Sequence, residues 1–213
     1  MAVEKIFWQQ PYLTEITALI TKVEGNIVTL DRTIAYALSG GQSSDAGMIG
    51  GYPILKAEKQ NKEIYYDIGP HELRPGSEVT VSIDWGRRYR LMRLHFAAEV
   101  ILELVYQNYN RPEKIGAHIT DSKARLDFVW TGNISAAFGF LQQAADELIA
   151  KDLPVVSDFS DQAAERRFWR IDGFAQVPCG GTHIRHTGEI GKIRLKRDNI
   201  GKQKERIEIT LVD

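Results

Sequence analysis

The chain has 213 residues, of which 43% are hydrophobic and 26% are charged, as is usual for a globular protein with an apolar core. A formal net charge of −1 excludes a strong overall field toward nucleic acid, so any such affinity must come from a local patch. The single cysteine excludes a framework of intrachain disulfides and favours a reducing compartment. Because the sequence has neither a secretory signal pattern nor a stretch long enough to span a bilayer, we expect a cytoplasmic protein without a membrane partner.

The first part of the sequence predicts short strands separated by turns. The expected strands are residues 14–23, which are rich in Thr, Ile and Val, and residues 26–30, 52–59, 63–68 and 78–83. A glycine-rich segment, SGGQSSDAGMIGG, interrupts them at 39–51. Several short strands at close spacing favour a small β-barrel, which we expect to occupy residues 1–87.

The second part predicts both helices and strands. Apolar residues recur at spacings of three and four in 87–109, which is typical of a long helix. The other expected elements are a hairpin at 114–130 turning at Asp121–Ser122, a helix at about 134–151 capped by Asn133, a strand at 155–159, a short helix from Asp161 to Arg167, and a hairpin at 192–212 turning at Asn199–Gly201. The predicted fold class is therefore α+β, with helices packed on an antiparallel sheet in a second domain at 88–213.

Two pairs of side chains have spacings that suit a metal ion. His95 and Glu99 lie on one face of the predicted long helix, although such a pair is also common on solvated surfaces. Cys179 and His183 flank Gly180–Gly181, whose glycines permit a sharp turn that would bring a thiolate and an imidazole together. A lone cysteine can instead be a small buried apolar residue. Together the four side chains make a plausible tetrahedral zinc site, with Glu99 expected to bind most weakly or be displaced.

Longer motifs give a family resemblance. The stretch CGGTHIRHTGEIG, which begins at Cys179, resembles the C-terminal zinc motif of the alanyl-tRNA editing (AlaX) family and of the editing domain of alanyl-tRNA synthetase. RLHFAAE stands where the family has His-x-x-x-His, and GAHITDSKARLDF is similar to the strand pair that follows. SGGQSSDAG resembles the family's Gly-Gly-Gln-Pro-x-Asp-x-Gly segment, with Ser43 in place of proline. The order and spacing match over nearly the whole chain, and the expected barrel resembles that of the medium-length members.

The resemblance implies a zinc ion held by His95, Cys179 and His183, with Glu99 at the position of the second helix histidine. It implies hydrolysis of the ester that joins a wrong amino acid, chiefly serine with glycine as a second candidate, to alanine tRNA. His95 and Glu99 are the candidate catalytic residues, and Glu99 is a candidate general base if it does not bind metal. Because Glu99 departs from the family's histidine, a metal-poor RNA-binding protein without catalysis is the alternative. A cysteine hydrolase that uses Cys179 with a histidine base is a third hypothesis.

Two further groups are candidate contacts to substrate or tRNA. In the glycine-rich segment they are Gly40, Gly41, Gln42 and Asp45. This segment would close over the pocket or touch the tRNA end, or else form a barrel turn with glycines at positive φ. In the tail the candidates are Lys192, Arg194, Lys196 and Arg197, and a second basic cluster consists of Arg87, Arg88, Arg90 and Arg93. Phosphate contacts need such patches, although both can also be solvated faces.

The partner predicted by the resemblance is mischarged alanine tRNA, with no DNA contact. The chain is too short to hold a synthetase's activation domain beside both predicted parts. We therefore expect a freestanding enzyme that acts in trans.

Overall fold

The computed structural model describes residues 2–212, which form two compact units. One unit takes residues 2–39 and 43–89, and the other takes residues 40–42 and 90–212. The division between Tyr89 and Arg90 falls inside a helix. The short segment Gly40–Gln42 belongs to the second unit, although the residues on either side of it belong to the first.

The secondary structure follows the chain in this order. The strands are β1 (Glu4–Lys5), β2 (Glu15–Glu24), β3 (Ile27–Leu30), β4 (Arg32–Thr33), β5 (Gly47–Ile49), β6 (Tyr52–Pro53), β7 (Lys56–Gln60), β8 (Glu63–Asp67), β9 (Glu78–Ile83), β10 (Lys114–Ile119), β11 (Ala124–Val129), β12 (Val156–Asp161), β13 (Arg166–Ile171), β14 (Ala175–Pro178), β15 (Ile193–Gly201) and β16 (Lys204–Leu211). The helices are α1 (Ile6–Gln9), α2 (Trp85–Asn108) and α3 (Phe138–Ala150), with 3₁₀ turns at Ile134–Ala137 and Thr187–Ile190.

The first unit is built on a seven-stranded antiparallel sheet. Its strand order is β6-β5-β9-β2-β3-β8-β7. Alternate residues of β9, namely Val79, Val81 and Ile83, are buried, which is the period expected of a strand with one face on a core. Because the hydrogen-bonded order ends at β6 and β7, closure of this sheet into a barrel stays a prediction.

The second unit combines helices with two antiparallel sheets. One sheet has the order β10-β11-β16-β15, and its buried face carries Leu126, Phe128, Ile207 and Ile209. The other has the order β12-β13-β14. The part of α2 in this unit is buried on nearly every side, and the helix carries the first candidate ligand, His95. The α+β class predicted from the sequence is therefore confirmed.

Most of the predicted elements are confirmed, and three details differ. The helix expected at 134–151 begins as a 3₁₀ turn, in which Asn133 accepts a hydrogen bond from the Ser135 amide at 2.9 Å. The strand expected at 52–59 is split into β6 and β7. The tail hairpin is present, but β15 continues through Gly201 and the turn lies at Lys202–Gln203.

The short helix expected from Asp161 to Arg167 is wrong. Asp161 ends β12, and Glu165, whose φ is 54°, lies in a hairpin turn. Arg166 then starts β13, in which Arg167, Trp169 and Ile171 alternate inward. A turn flanked by alternating strands explains the polar run that was taken for a helix. Within residues 2–212, none of the helices combines the length and the apolar character that crossing a bilayer requires.

Candidate metal centre

Helix α2 and the loop after β14 bring the candidate ligands together in the second unit. His95 projects from α2, whereas Cys179 and His183 follow the last residue of β14. The Cys179 amide donates to the Arg167 carbonyl at 2.9 Å, which extends the β13–β14 ladder by one residue. The sheet therefore fixes the main chain at Cys179 before the loop turns toward His183.

The three donor atoms have the separations that a single metal ion needs. The Cys179 Sγ lies 3.4 Å from His95 Nε2 and 3.3 Å from His183 Nε2, and the three donors all lie within 4.8 Å of one another. Two ligand atoms of one tetrahedral zinc are roughly 3.4 to 3.6 Å apart. Both histidines are 3% exposed. The geometry and the chemistry of this donor set therefore fit a zinc ion.

The other ring nitrogen of each histidine has its own partner. His95 Nδ1 lies 2.6 Å from Gln42 Oε1, and His183 Nδ1 lies 2.7 Å from Ser157 Oγ. Partners of this kind orient metal-binding histidines and fix the tautomer in many metalloproteins. With Nδ1 occupied in both rings, Nε2 is the nitrogen that faces the Cys179 sulfur.

Glu99 lies beside this cluster but outside the set of mutually close donors. Its Oε1 is 3.5 Å from His95 Nε2, and its Oε2 accepts a hydrogen bond from Trp169 Nε1 at 2.9 Å. Three donors next to a held carboxylate differ from a site closed by four equivalent protein ligands. This arrangement is typical of a catalytic metal site, which keeps one position for water or substrate.

Charges in the cluster shift three pKa values. Burial lowers the pKa of His95, but the Cys179 thiolate and the Glu99 carboxylate outweigh burial and raise it to about 10. Burial raises the pKa of Glu99, but the hydrogen bond and charge of His95 hold it below its ordinary value. Burial, together with the positive charges on His95 and Arg167, lowers the pKa of His183 well below its usual range. Without metal, the cluster therefore keeps a proton on His95 and a neutral ring at His183.

The two glycines after Cys179 have different environments. Neither Gly180 nor Gly181 has positive φ, so the sharp turn expected of them needs no left-handed backbone. A Cβ on Gly181 would overlap the His95 ring and lie 2.8 Å from Gln42 Oε1, whereas a Cβ on Gly180 would meet open space. Gly181 is therefore required by the close approach of α2, and Gly180 is not.

The glycine-rich segment supplies buried side chains as well as a turn. Gly40 and Gly41 have φ values of 58° and 89°, as expected for a turn. The Gly41 carbonyl accepts a hydrogen bond from the Ile119 amide at 2.7 Å, and a Cβ on Gly41 would lie 2.9 Å from the Ala117 carbonyl oxygen. Gln42 is 0% exposed and hydrogen-bonded to His95, so its side chain lies against the metal cluster, which consists of His95, Cys179 and His183.

Asp45, by contrast, is held within the first unit. Arg88 is fully buried, and its guanidinium binds both Asp45 carboxylate oxygens, with Nε 2.8 Å from Oδ1. Asp45 Oδ2 also accepts the Tyr36 amide at 2.6 Å. The expectation that Arg88 belongs to a solvated or phosphate-binding cluster is wrong, because its charge is buried against Asp45. The predicted contact of Asp45 with substrate or tRNA stays a prediction.

The other basic residues also differ in their partners. Arg197 binds Glu205, with Nε 2.5 Å from Oε2, and the Lys196 ammonium lies 3.9 Å from a Glu208 carboxylate oxygen. Among residues 2–212, the side chains of Lys192 and Arg194 form no ion pair or hydrogen bond. The remaining arginines of the α2 cluster have main-chain acceptors: Arg87 with Ser44, Arg90 with Asp121, and Arg93 with Ile190. Of the predicted tail contacts, Lys192 and Arg194 are therefore the most available to a phosphate.

The sequence analysis missed four residues that support the cluster: Ser157, Arg167, Trp169 and Thr182. Arg167 is 4% exposed, lies close enough to Cys179 for their charges to interact, and packs its guanidinium 5.1 Å from the centre of the Phe159 ring. The two-residue spacing of Arg167, Trp169 and Ile171, which places them on one face of β13, is the signal that could have placed Arg167 and Trp169 together.

Known proteins resemble this chain along almost its whole length. The family described as "Threonyl and Alanyl tRNA synthetase second additional domain" matches residues 167–208, which include Cys179 and His183. The "Alanyl-tRNA editing protein AlaX-M" of Methanosarcina barkeri is 32% identical over 99% of this chain and 99% of its own. The protein of the same name from Pyrococcus horikoshii is 29% identical over 97% of each chain.

A longer relative matches this chain over only part of its own length. The "Alanine--tRNA ligase" of Methanococcus aeolicus is 29% identical over 97% of this chain, but the match covers only 25% of the ligase. The AlaX-M proteins, in contrast, match end to end. The chain therefore belongs to the AlaX-M family of alanyl-tRNA editing proteins.

Proposed function

We propose that this protein is a freestanding cytoplasmic hydrolase that removes a wrongly attached amino acid from alanine tRNA at a zinc site. The observation that carries the proposal is the convergence of His95, Cys179 and His183, whose donor atoms lie within 4.8 Å of one another. Family membership supplies the reaction, since the relatives are named as alanyl-tRNA editing proteins. The main substrate in this proposal is seryl-tRNA, with glycyl-tRNA as a second.

The ligand residues have distinct tasks. Zinc, when bound, would polarise the ester carbonyl or lower the pKa of a water molecule. Cys179 would contribute the thiolate that offsets the charge of the ion, and His95 and His183 would bind through Nε2. Because the Nδ1 atoms are engaged by Gln42 and Ser157, the two rings are oriented in advance of metal binding.

Glu99 is proposed as the general base. Trp169 holds one oxygen at 2.9 Å, which leaves Oε1 on the side of His95. A bound zinc ion would favour the ionised form of Glu99 at neutral pH, which is the state that accepts a proton from an attacking water. The alternative role proposed from the sequence, that of a weak fourth ligand of the metal, would exclude this one.

Substrate recognition is proposed to divide between the pocket and the tail. A polar group that binds the seryl hydroxyl would select serine over alanine, since that group would be unpaired with an alanyl ester. Lys192 and Arg194 would contact tRNA phosphates. Lys196 and Arg197 would contribute less, since Glu208 and Glu205 offset their charges. Gly40, which is exposed in the glycine-rich segment, remains a candidate contact for the tRNA end.

Metal analysis combined with deacylation tests this proposal. Protein purified without added metal should contain about one zinc per chain and should release serine from seryl-tRNA prepared with alanine tRNA. It should leave alanyl-tRNA largely intact. Binding of tRNA without zinc or deacylation would favour the RNA-binding alternative. Activity that survives complete removal of metal but is abolished by thiol alkylation would favour the cysteine-hydrolase alternative.

A further inference from the structure

Gln42 is fully buried and makes three hydrogen bonds near the metal cluster. Its Oε1 lies 2.6 Å from His95 Nδ1 and accepts the Thr182 amide at 3.2 Å. Its Nε2 donates to Thr182 Oγ1 at 2.8 Å. All three residues belong to the second unit, although Gln42 lies 53 positions from His95 in the chain.

These contacts determine where the protons are. The Thr182 main-chain N–H can only donate, so the Gln42 atom that faces it must be the carbonyl oxygen and not the amide nitrogen. The same oxygen faces His95 Nδ1. A carbonyl oxygen can only accept, so His95 Nδ1 must carry a hydrogen. The assignment depends on a main-chain group, and a flipped side-chain amide would place two donors against each other.

We propose that Gln42 is a positioning residue for His95, which fixes the Nδ1–H tautomer and turns Nε2 toward the metal. The inference rests on the proposed zinc site and gives Gln42 a different role from the substrate or tRNA contact expected from the sequence. At 0% exposure, Gln42 has no surface left for a tRNA contact.

The main chain of the glycine-rich segment positions the Gln42 side chain beside His95. The Ile119 amide donates to the Gly41 carbonyl, and Gln42 forms a parallel bridge with Ile119 at the end of β10. A Cβ on Gly41 would lie 2.9 Å from the Ala117 carbonyl oxygen, which is too close for any residue other than glycine. The motif therefore places its glycine where β10 passes closely, so that the next residue can reach His95.

The neutral amide also suits the charge of the site. Cys179 and Glu99 already place two acidic groups near His95, with their Sγ and Oε1 atoms 3.4 Å and 3.5 Å from its Nε2. A glutamate at position 42 would preserve the acceptor but add a third negative charge. Glutamine orients the ring without that addition.

Two variants and a control test this role. Gln42→Met has similar length but no acceptor, and Gln42→Glu keeps the acceptor. The control is Gln143→Met, at an exposed position of α3. The first readout is the zinc dissociation constant of the metal-free protein by chelator competition, without tRNA. We expect Gln42→Met to weaken zinc binding about 10- to 100-fold. Gln42→Glu should restore binding to within a few-fold of wild type, and Gln143→Met should leave it unchanged.

A second readout does not depend on the variants folding. Nitrogen-15 NMR of histidine-labelled wild-type protein should show hydrogen on His95 Nδ1, with and without zinc. An unprotonated Nδ1 would overturn the proposal. Wild-type zinc affinity in folded Gln42→Met, combined with a raised KM for tRNA, would also overturn it and restore the substrate-contact role. A wild-type protein that binds zinc but does not deacylate tRNA would refute the proposed function alone.

Discussion

The metal cluster of His95, Cys179 and His183 differs from the basic hairpin of β15 and β16 in how completely its side chains are hydrogen-bonded within the protein. In the cluster, both histidines are 3% exposed, and each Nδ1 has one defined acceptor or donor. In the hairpin, cations lie on a solvated strand face, and some are matched by carboxylates, as Arg197 is by Glu205. Burial forces polar groups to find partners within the protein, whereas a solvated cation need not have one. Residue type and spacing therefore predict the contacts of buried polar side chains better than those of exposed charged side chains.

The variant His95→Ala should break the cluster most completely. It removes one of the three close donors and leaves Gln42 Oε1 without its histidine partner. We expect zinc content and deacylation to fall to background. Zinc analysis and a seryl-tRNA assay would measure both effects, with His118→Ala on β10 as the control. Wild-type zinc stoichiometry in His95→Ala would contradict the ligand assignment.

The variant Glu99→Gln should separate metal binding from chemistry. The three close donors remain, so zinc should stay bound, but the amide cannot accept a proton from water. Single-turnover deacylation should therefore slow by about 10²- to 10⁴-fold. Trp169→Phe, which removes the hydrogen bond to Glu99 together with part of a fully buried ring, should have a smaller effect in the same direction. Full activity in Glu99→Gln would eliminate Glu99 as the base.

The pair Gly181→Ala and Gly180→Ala tests how tightly the cluster is packed. A Cβ at position 181 overlaps the His95 ring, so we expect a loss of about 1 to 3 kcal/mol in the free energy of unfolding, with weaker zinc binding. A Cβ at position 180 meets open space, and its effect should stay within about 0.5 kcal/mol. Denaturant unfolding of both variants gives the comparison, and equal losses would contradict the packing described.

Zinc binding to the metal-free protein should strengthen as the pH rises. Burial lowers the pKa of His95, but Cys179 and Glu99 raise it to about 10, so zinc must displace a proton from His95 at neutral pH. His183, with its lowered pKa, releases none in this range. The apparent affinity should rise by at least about tenfold per pH unit from about pH 6 to about pH 9, because any proton that zinc displaces from Cys179 adds to the one from His95. Chelator competition measures this slope, and a flat profile would disagree with a protonated His95.

The tail should show the smallest and most graded effects. Lys192→Ala and Arg194→Ala each remove a cation that has no partner among residues 2–212, so each should lower the salt dependence of tRNA binding by about one unit of log–log slope. Arg197→Ala should change this slope much less, since Glu205 already neutralises Arg197. Filter binding at several salt concentrations tests the contrast. Equal slopes for all three variants would show that the ion pair does not distinguish these cations.

Local patterns in the sequence were sufficient for the main elements of the fold. The alternation in β9 and the apolar period of α2 identify both elements, because each pattern follows directly from backbone geometry. The Asp161–Arg167 helix failed because the polar run around a hairpin turn resembles a short helix when the partner strand is unknown. Its turn depends on Glu165 at positive φ, a conformation that glutamate seldom adopts.

The candidate site was predictable in its ligands but not in their surroundings. Spacing paired Cys179 with His183 and His95 with Glu99, and the family resemblance supported their combination in one zinc site. The hydrogen bonds of Gln42 and Ser157 could not be foreseen, since they join segments far apart in the chain. The pairing of Arg88 with Asp45 was hidden for the same reason. Contacts between segments that are far apart in the chain leave no periodic pattern in the local sequence.

Anomalous diffraction at the zinc absorption edge, from crystals of protein purified without added metal, would show whether zinc occupies the cluster. We expect one strong peak, about 2.0 to 2.1 Å from His95 Nε2 and His183 Nε2 and about 2.3 Å from Cys179 Sγ. Crystals with no peak among these three atoms, or with the metal bound elsewhere, would contradict this expectation.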